Sequence, residues 1–127
     1  MTKNVIRNML LHKTKGAIVH ISSISAHTGY KGLAMYASSK GALEAFSKDT
    51  AREWGPIGIR SNVVVPGFMA TAMSSTLTEE QRGKIYARTS LKAATSIRSV
   101  AETVAFLLSD KAESITGQNI HVDNGTI

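Results

Sequence analysis

The chain of 127 residues contains no cysteine. Disulfides, thiolate nucleophiles and cysteine-ligated metals are thereby excluded. No apolar run approaches the roughly 18–20 residues that a membrane-spanning helix needs. No G-x-G-x-x-G pattern occurs, and "GYKG" at 29–32 does not substitute for one. The chain therefore shows no glycine-rich cradle for the phosphates of a dinucleotide. His12, His20, His27 and His121 have neither an H-x-x-x-H spacing nor a carboxylate at ligand spacing. No metal is expected, and the four read as separate surface or half-buried residues.

Acidic residues are absent before Glu44, while Lys3, Arg7, Lys13, Lys15, Lys31 and Lys40 precede it. The remaining chain holds nine basic and nine acidic residues, so the whole net charge of +6 comes from the first third. A basic, acid-free beginning suggests an organelle transit peptide or a nucleic-acid-binding arm. Against the first, "GAIVHISS" begins at residue 16 and already has the character of a structural strand. Against the second, the charges are scattered among apolar residues, with no basic run and no interleaved aromatics. Neither a nucleic acid nor a membrane is expected as a partner, and the expected location is cytoplasmic.

What is present is material for one modest domain, with 43% apolar residues to build its core. Val5, Ile6, Met9 and Leu10 form a helical stripe within 2–13. "KTKG" breaks that helix, and "AIVHI" at 17–21 is a short β-branched run expected to be a buried strand. Residues 22–32, rich in Ser and Gly, are expected to be a loop. A long helix follows over 35–54, with Ala37, Leu43, Phe46 and Ala51 among its apolar positions, and "GPIG" ends it. "IRSNVVV" at 59–65 is a second buried strand, stopped by Pro66-Gly67. Two capping-box patterns, Thr78-x-x-Gln81 and Ser99-x-x-Glu102, each announce a helix. "GQNIHVDNG" supplies a last strand and a turn, where Asn124 tolerates a positive φ. Strands alternating with helices imply crossovers and a parallel sheet. Three strands make a thin sheet, and no strand precedes the first helix. The expected fold is therefore α/β, with residues 1–127 forming the carboxyl-terminal half of one domain.

Within the long helix, "AMYASSKG" sets Tyr36 and Lys40 four apart, one above the other on a single face. An ammonium beside a phenol favours the phenolate and makes the phenol a usable general acid or base. Alone, the pair reads more simply as a half-buried aromatic near an unrelated surface charge. Its surroundings change that reading. "AIVHI" delivers "SSIS" at its carboxyl end, where parallel α/β sheets place their active sites, and the next strand ends at "PGFMAT" in the same way. A hydroxyl, a phenol–ammonium pair and a Pro-Gly loop thus converge on one crevice. Ser22 and Ser25 lie nearby and read as loop hydrogen-bonders.

These motifs together resemble the short-chain dehydrogenase/reductase family: Ser23 thirteen residues before Tyr36, Tyr36-x-x-x-Lys40, "NVVVPGFMAT" at 62–71 and "ITGQNIHVDNG" at 115–125. The closest look is to 3-oxoacyl-[acyl-carrier-protein] reductases and their relatives. The resemblance implies a Rossmann-type doubly wound sheet. It also implies an NAD- or NADP-dependent transfer of hydride between a nicotinamide and a small carbonyl or alcohol substrate. Tyr36 would be the acid/base on the substrate oxygen. Lys40 would favour its phenolate and bind the nicotinamide ribose, and Ser23 would donate a hydrogen bond to the same oxygen. Pro66, Gly67, Met69 and Thr71 would lie against the nicotinamide. A homo-oligomer is implied, with the helices over 2–13 and 35–54 paired between subunits.

Three departures from the family pattern stand out. The family is about twice this length, and its phosphate loop and relay asparagine have no counterpart here, Asn4 and Asn8 being too close to Ser23. "SLKAATSIRS" at 90–99 replaces a Pro-Leu-Gly-Arg segment, which puts the substrate lid and any carrier-protein contact in question. Asn124 stands where glycine is common. The alternative function is a non-catalytic chain that acts as a subunit or fragment.

Overall fold

The computed structural model describes residues 1–71 and 74–126; Ile127, the last residue of the expected unit, lies outside them. In chain order the elements are α1 (Thr2–Leu11), β1 (Gly16–Ile21), α2 (Ser25–Thr28), α3 (Ala34–Trp54), β2 (Ile59–Pro66), α4 (Glu79–Tyr86), α5 (Ile97–Leu108) and β3 (Asn119–Val122). The sheet runs β1-β2-β3 and is parallel throughout, with Gly16 opposite Ile59 and Val63 opposite Asn119. Parallel neighbours need a crossover. Here α3 carries the chain from β1 to β2, and α4 and α5 carry it from β2 to β3.

Strand β2 is the centre of the molecule, and Ser61 through Pro66 are buried without interruption. Its side chains alternate between two covered faces. Val64 packs with Val100, Leu107 and Ala112 on the α5 side. Val63 and Val65 pack with Ile24 and Tyr30 on the other face. On that second face Ser61 meets Ser47 of α3 through a buried hydroxyl–hydroxyl bond of 2.9 Å. Helices therefore cover both faces, which is the doubly wound arrangement. Burying each such valine contributes about 1.5–3 kcal/mol. Arg60 fastens α5 to the sheet: its guanidinium donates to the carbonyls of Leu107, Ser109 and Ile115. A cation at the carboxyl end of a helix is also favoured by the helix dipole.

Several local expectations change. Residues 22–32 are not all loop, because α2 forms a single turn at Ser25–Thr28 closed by Gly29 with φ 66°. Helix α5 begins three residues before the expected position: Ser96, not Ser99, is its N-cap and accepts from the Ser99 amide. The Glu102 side chain cannot close a box there, since it pairs with Arg98 at 2.7 Å. Thr78 and Gln81 do form the reciprocal capping box at the start of α4. In α1 only Ile6 is buried, and Val5 and Leu10 of the expected stripe are exposed. Helix α3 likewise buries Glu44, Ser47, Thr50 and Ala51 and leaves Phe46 about half exposed, at 48%. Asn124 adopts φ 59°, as the turn requires.

Candidate active site

Ser23 lies in the segment that follows β1, residues 66–71 run from the end of β2 into the segment beyond it, and helix α3 carries Tyr36 and Lys40. The ladder between these strands continues past their ends: Ser22 N–H donates to the Val64 carbonyl at 2.9 Å, and Ile24 N–H to the Pro66 carbonyl at 3.1 Å. Ser23 is held between these two bonds. Its hydroxyl oxygen accepts from the Ser25 amide at 3.2 Å and from the Ser25 hydroxyl at 3.0 Å.

Tyr36 lies in the first turn of α3, 44% exposed, and its hydroxyl has no hydrogen-bond partner among the described residues. Lys40 reaches from the next turn toward the sheet. Its ammonium donates to the Ile21 carbonyl at 2.9 Å and lies 5.6 Å from the centre of the Tyr36 ring. That distance is within reach of a cation–π attraction. The structure thus brings Tyr36 and Lys40 together and ties Lys40 to the end of β1.

The Pro66-Gly67 end of β2 is organised by the carboxyl-terminal turn. Gly67 N–H donates to the Val122 carbonyl at 2.9 Å. A Cβ at Gly67 would stand 2.7 Å from the Asp123 Cα, so a side chain is excluded by packing alone. The Met69 side chain is partly buried and packs against the core cluster of Val64, Val100, Leu107 and Ala112. Thr71 is half-buried, its amide donating to Ser74 Oγ at 3.0 Å and its carbonyl accepting from the same hydroxyl at 2.9 Å.

One residue of this region was not singled out by the sequence. Glu44 extends the row of Tyr36 and Lys40 by a further turn of α3 and is buried, at 8% exposure. Its carboxylate accepts from Ser22 Oγ, from His27 Nε2 at 3.0 Å and from Asn119 Nδ2 at 2.8 Å. The Ser loop, α2 and β3 are thereby fastened to α3 at one point. The i+4 spacing from Lys40 was the available signal, but spacing alone does not say that a carboxylate is buried. The histidines are also less separate than expected, since the His27 and His121 rings meet edge-on at 4.9 Å. His20 on β1 packs edge-on against Phe46, and burial pushes its pKa below the ordinary value.

One cleft lies elsewhere, at the amino ends of β1 and β2, lined by Lys15, Gly58, Arg60 and Glu113. A second groove runs between α1 and α3, lined by Ile6, Leu10, Phe46 and Trp54. Neither contains Ser23, Tyr36 or Lys40.

Comparison with known proteins agrees with this architecture. The family model described as Enoyl-(Acyl carrier protein) reductase matches residues 1–126. The 3-oxoacyl-[acyl-carrier-protein] reductase FabG of Escherichia coli is 41% identical over 125 residues, covering 98% of this chain and 51% of that protein. The corresponding reductase of Buchnera aphidicola is 38% identical over the same length and with the same coverage. A solved 4-hydroxyisoleucine dehydrogenase complexed with NADH superposes with a TM-score of 0.94 at 30% identity, covering 98% of this chain and 52% of its own. The chain spans about half the length of the curated relatives it matches. In sequence and in fold, the chain belongs to the short-chain dehydrogenase/reductase family and resembles its 3-oxoacyl-[acyl-carrier-protein] reductases.

Proposed function

We propose that this chain supplies the catalytic half of an NAD- or NADP-dependent oxidoreductase acting on a small carbonyl or alcohol substrate. The observation that carries this reading is the placement of Lys40 between the Ile21 carbonyl and the Tyr36 ring, next to the Ser23 loop. A nicotinamide, when bound, supplies or takes up the hydride at the substrate carbon.

This chain's own residues manage the oxygen. As the carbonyl is reduced, negative charge grows on its oxygen, and donors fixed in advance stabilise that charge. Ser23 donates a hydrogen bond to it, and Tyr36 delivers the proton that completes the alcohol. In the oxidation direction the Tyr36 phenolate takes that proton back. Lys40 stabilises the phenolate from one turn away.

The residues present suit a nicotinamide ribose. The Tyr36 hydroxyl is free of protein partners among the described residues, and Lys40 has one protein acceptor for its three donors. Pro66, Gly67, the Met69 backbone and Thr71 would border the nicotinamide. Within the 127 residues nothing corresponds to a phosphate cradle. The exposed apolar side chains Val5, Leu10 and Phe46 on α1 and α3 support a homo-oligomer paired through these helices.

The test is turnover by the complete reading frame that contains these residues, with NADH and NADPH and a panel of small ketones and 3-oxoacyl thioesters. Tyr36→Phe should lower turnover by about 10²–10⁴-fold, the usual worth of a general acid. Near-normal turnover in that variant rejects the assignment.

A further inference from the structure

We propose that Ser25 is a positioning residue that makes Ser23 an obligate hydrogen-bond donor; this rests on the catalytic reading of Ser23 given above. A serine hydroxyl offers one hydrogen and two lone pairs. Around Ser23 both acceptor directions are taken by one residue, through the Ser25 amide at 3.2 Å and the Ser25 hydroxyl at 3.0 Å. The hydrogen of Ser23 is what remains to be offered outward. An oxygen that already accepts hydrogen bonds also becomes a stronger donor, because successive bonds polarise one another.

The supporting frame is rigid. Ser25 is buried, at 4% exposure, and opens the single turn of α2. The backbone on both sides of it is occupied: Ile24 N–H binds the Pro66 carbonyl at 3.1 Å, and Ala26 N–H binds the Ser23 carbonyl at 3.0 Å. Ser23 therefore has little freedom to turn its hydroxyl inward. Without the Ser25 hydroxyl, one lone pair of Ser23 becomes available. The side chain can then accept a hydrogen bond from water or substrate, which opposes the stabilisation of a growing negative charge. Ser25 touches no reacting atom and acts only through Ser23.

The experiment is a double-mutant cycle in the complete reading frame that contains this chain. Ser25→Ala should lower kcat by about three- to tenfold, the worth of one hydrogen bond, with the KM for nicotinamide unchanged. Ser25→Thr keeps the hydroxyl and should restore kcat to within about twofold. In a Ser23→Ala background, Ser25→Ala should change kcat by less than about twofold. Ser25→Cys, which keeps the volume but donates weakly, replaces Ser25→Ala should the alanine variant fold poorly. An unchanged kcat in Ser25→Ala overturns the inference, as does an equal loss with and without the Ser23 hydroxyl. If Ser23→Ala and Tyr36→Phe both keep normal turnover, the catalytic reading fails and takes this inference with it. Loss in those two variants alone overturns only the role of Ser25.

Discussion

Lys40 spans the gap between helix α3 and strand β1, donating to the Ile21 carbonyl at 2.9 Å while lying 5.6 Å from the centre of the Tyr36 ring. Sequence spacing placed the two side chains on one helix face but not the third partner. The bond to Ile21 anchors the ammonium at the end of β1, immediately before the Ser22-Ser23 pair.

That anchoring yields the first prediction. Lys40→Ala removes the cation beside the phenol and the tie to β1 together, so turnover should fall by at least about 10²-fold. Lys40→Arg keeps the charge, but its planar fork does not match a compact point charge, so it should rescue only part of the loss. Steady-state rates of the three proteins, each made in the complete reading frame that contains this chain, decide this. Full activity in Lys40→Ala removes Lys40 from the site.

Glu44 carries the second prediction. Glu44→Ala strands the donors of Ser22, His27 and Asn119, of which Ser22 alone retains a protein acceptor, the Lys40 carbonyl at 3.2 Å. An unmet buried donor costs about 1–3 kcal/mol; Asn119 is only partly buried and His27 is exposed enough to meet water, so a loss of roughly 1–3 kcal/mol in all is expected. Glu44→Gln keeps one carbonyl oxygen for Ser22 and His27. Its amide can donate to the Asn119 Oδ1, a buried atom without a partner, once the Asn119 carboxamide turns over to present that oxygen in place of Nδ2. The glutamine variant should therefore lose less than half as much as the alanine. Denaturant unfolding of the three proteins measures the difference, and equal losses would remove the hydrogen-bond explanation.

Much of the fold could be read before the structure, because period and punctuation were strong in the right places. "IRSNVVV" is bounded by Gly58 and by Pro66-Gly67 and became the central strand, lengthened by one residue to Pro66. The cap of α5 misled for a physical reason. Ser99 and Glu102 have the spacing of a capping box, yet Arg98 takes the Glu102 carboxylate, and Ser96 reaches the Ser99 amide. The turn α2 was hidden because Ser-rich sequence fits a loop and a single helical turn equally well. Apolar periodicity in α3 pointed to Phe46, whereas the sheet receives Ser47, which finds its match in Ser61. Such a pairing depends on what stands opposite, and one sequence does not display it. Of the candidate site, the spacing of Tyr36 and Lys40 was legible. The grip of Ser25 on Ser23 and the convergence on Glu44 arise only when distant segments meet.

His20 gives a third prediction, in the pH dependence of stability. Burial pushes its pKa below the ordinary 6.5, because the charged imidazolium is poorly solvated between β1 and Phe46. Below pH 6.5 the unfolded chain binds a proton at this position that the folded chain resists. The contribution of neutral His20 is therefore fully present above that pH and is lost as the pH falls toward the lowered folded value. His20→Leu should flatten this part of the acid limb in a plot of unfolding free energy against pH. An acid limb of the same slope in the variant assigns the effect to other groups.

The fourth prediction concerns the 127-residue chain by itself. Strand β1 pairs with β2 alone, so its other edge presents unpaired amides and carbonyls. Exposed strand edges recruit other strands. Exposed Val5, Leu10 and Phe46 add apolar surface on the helices beside it. The chain should therefore self-associate, and sedimentation velocity should show species heavier than the 13.6 kDa monomer. Cofactor binding should be weak for a separate reason. Tight dinucleotide sites hold the pyrophosphate at a helix amino terminus behind a glycine-rich turn, and no such turn occurs here. Contacts from Tyr36, Lys40 and the Pro66–Thr71 segment reach only the nicotinamide end. Titration of the purified chain with NADH and with NADPH should show no micromolar binding, and neither cofactor should be turned over. A monodisperse monomer that binds either cofactor at micromolar concentration would mean that the nicotinamide contacts suffice without a phosphate cradle.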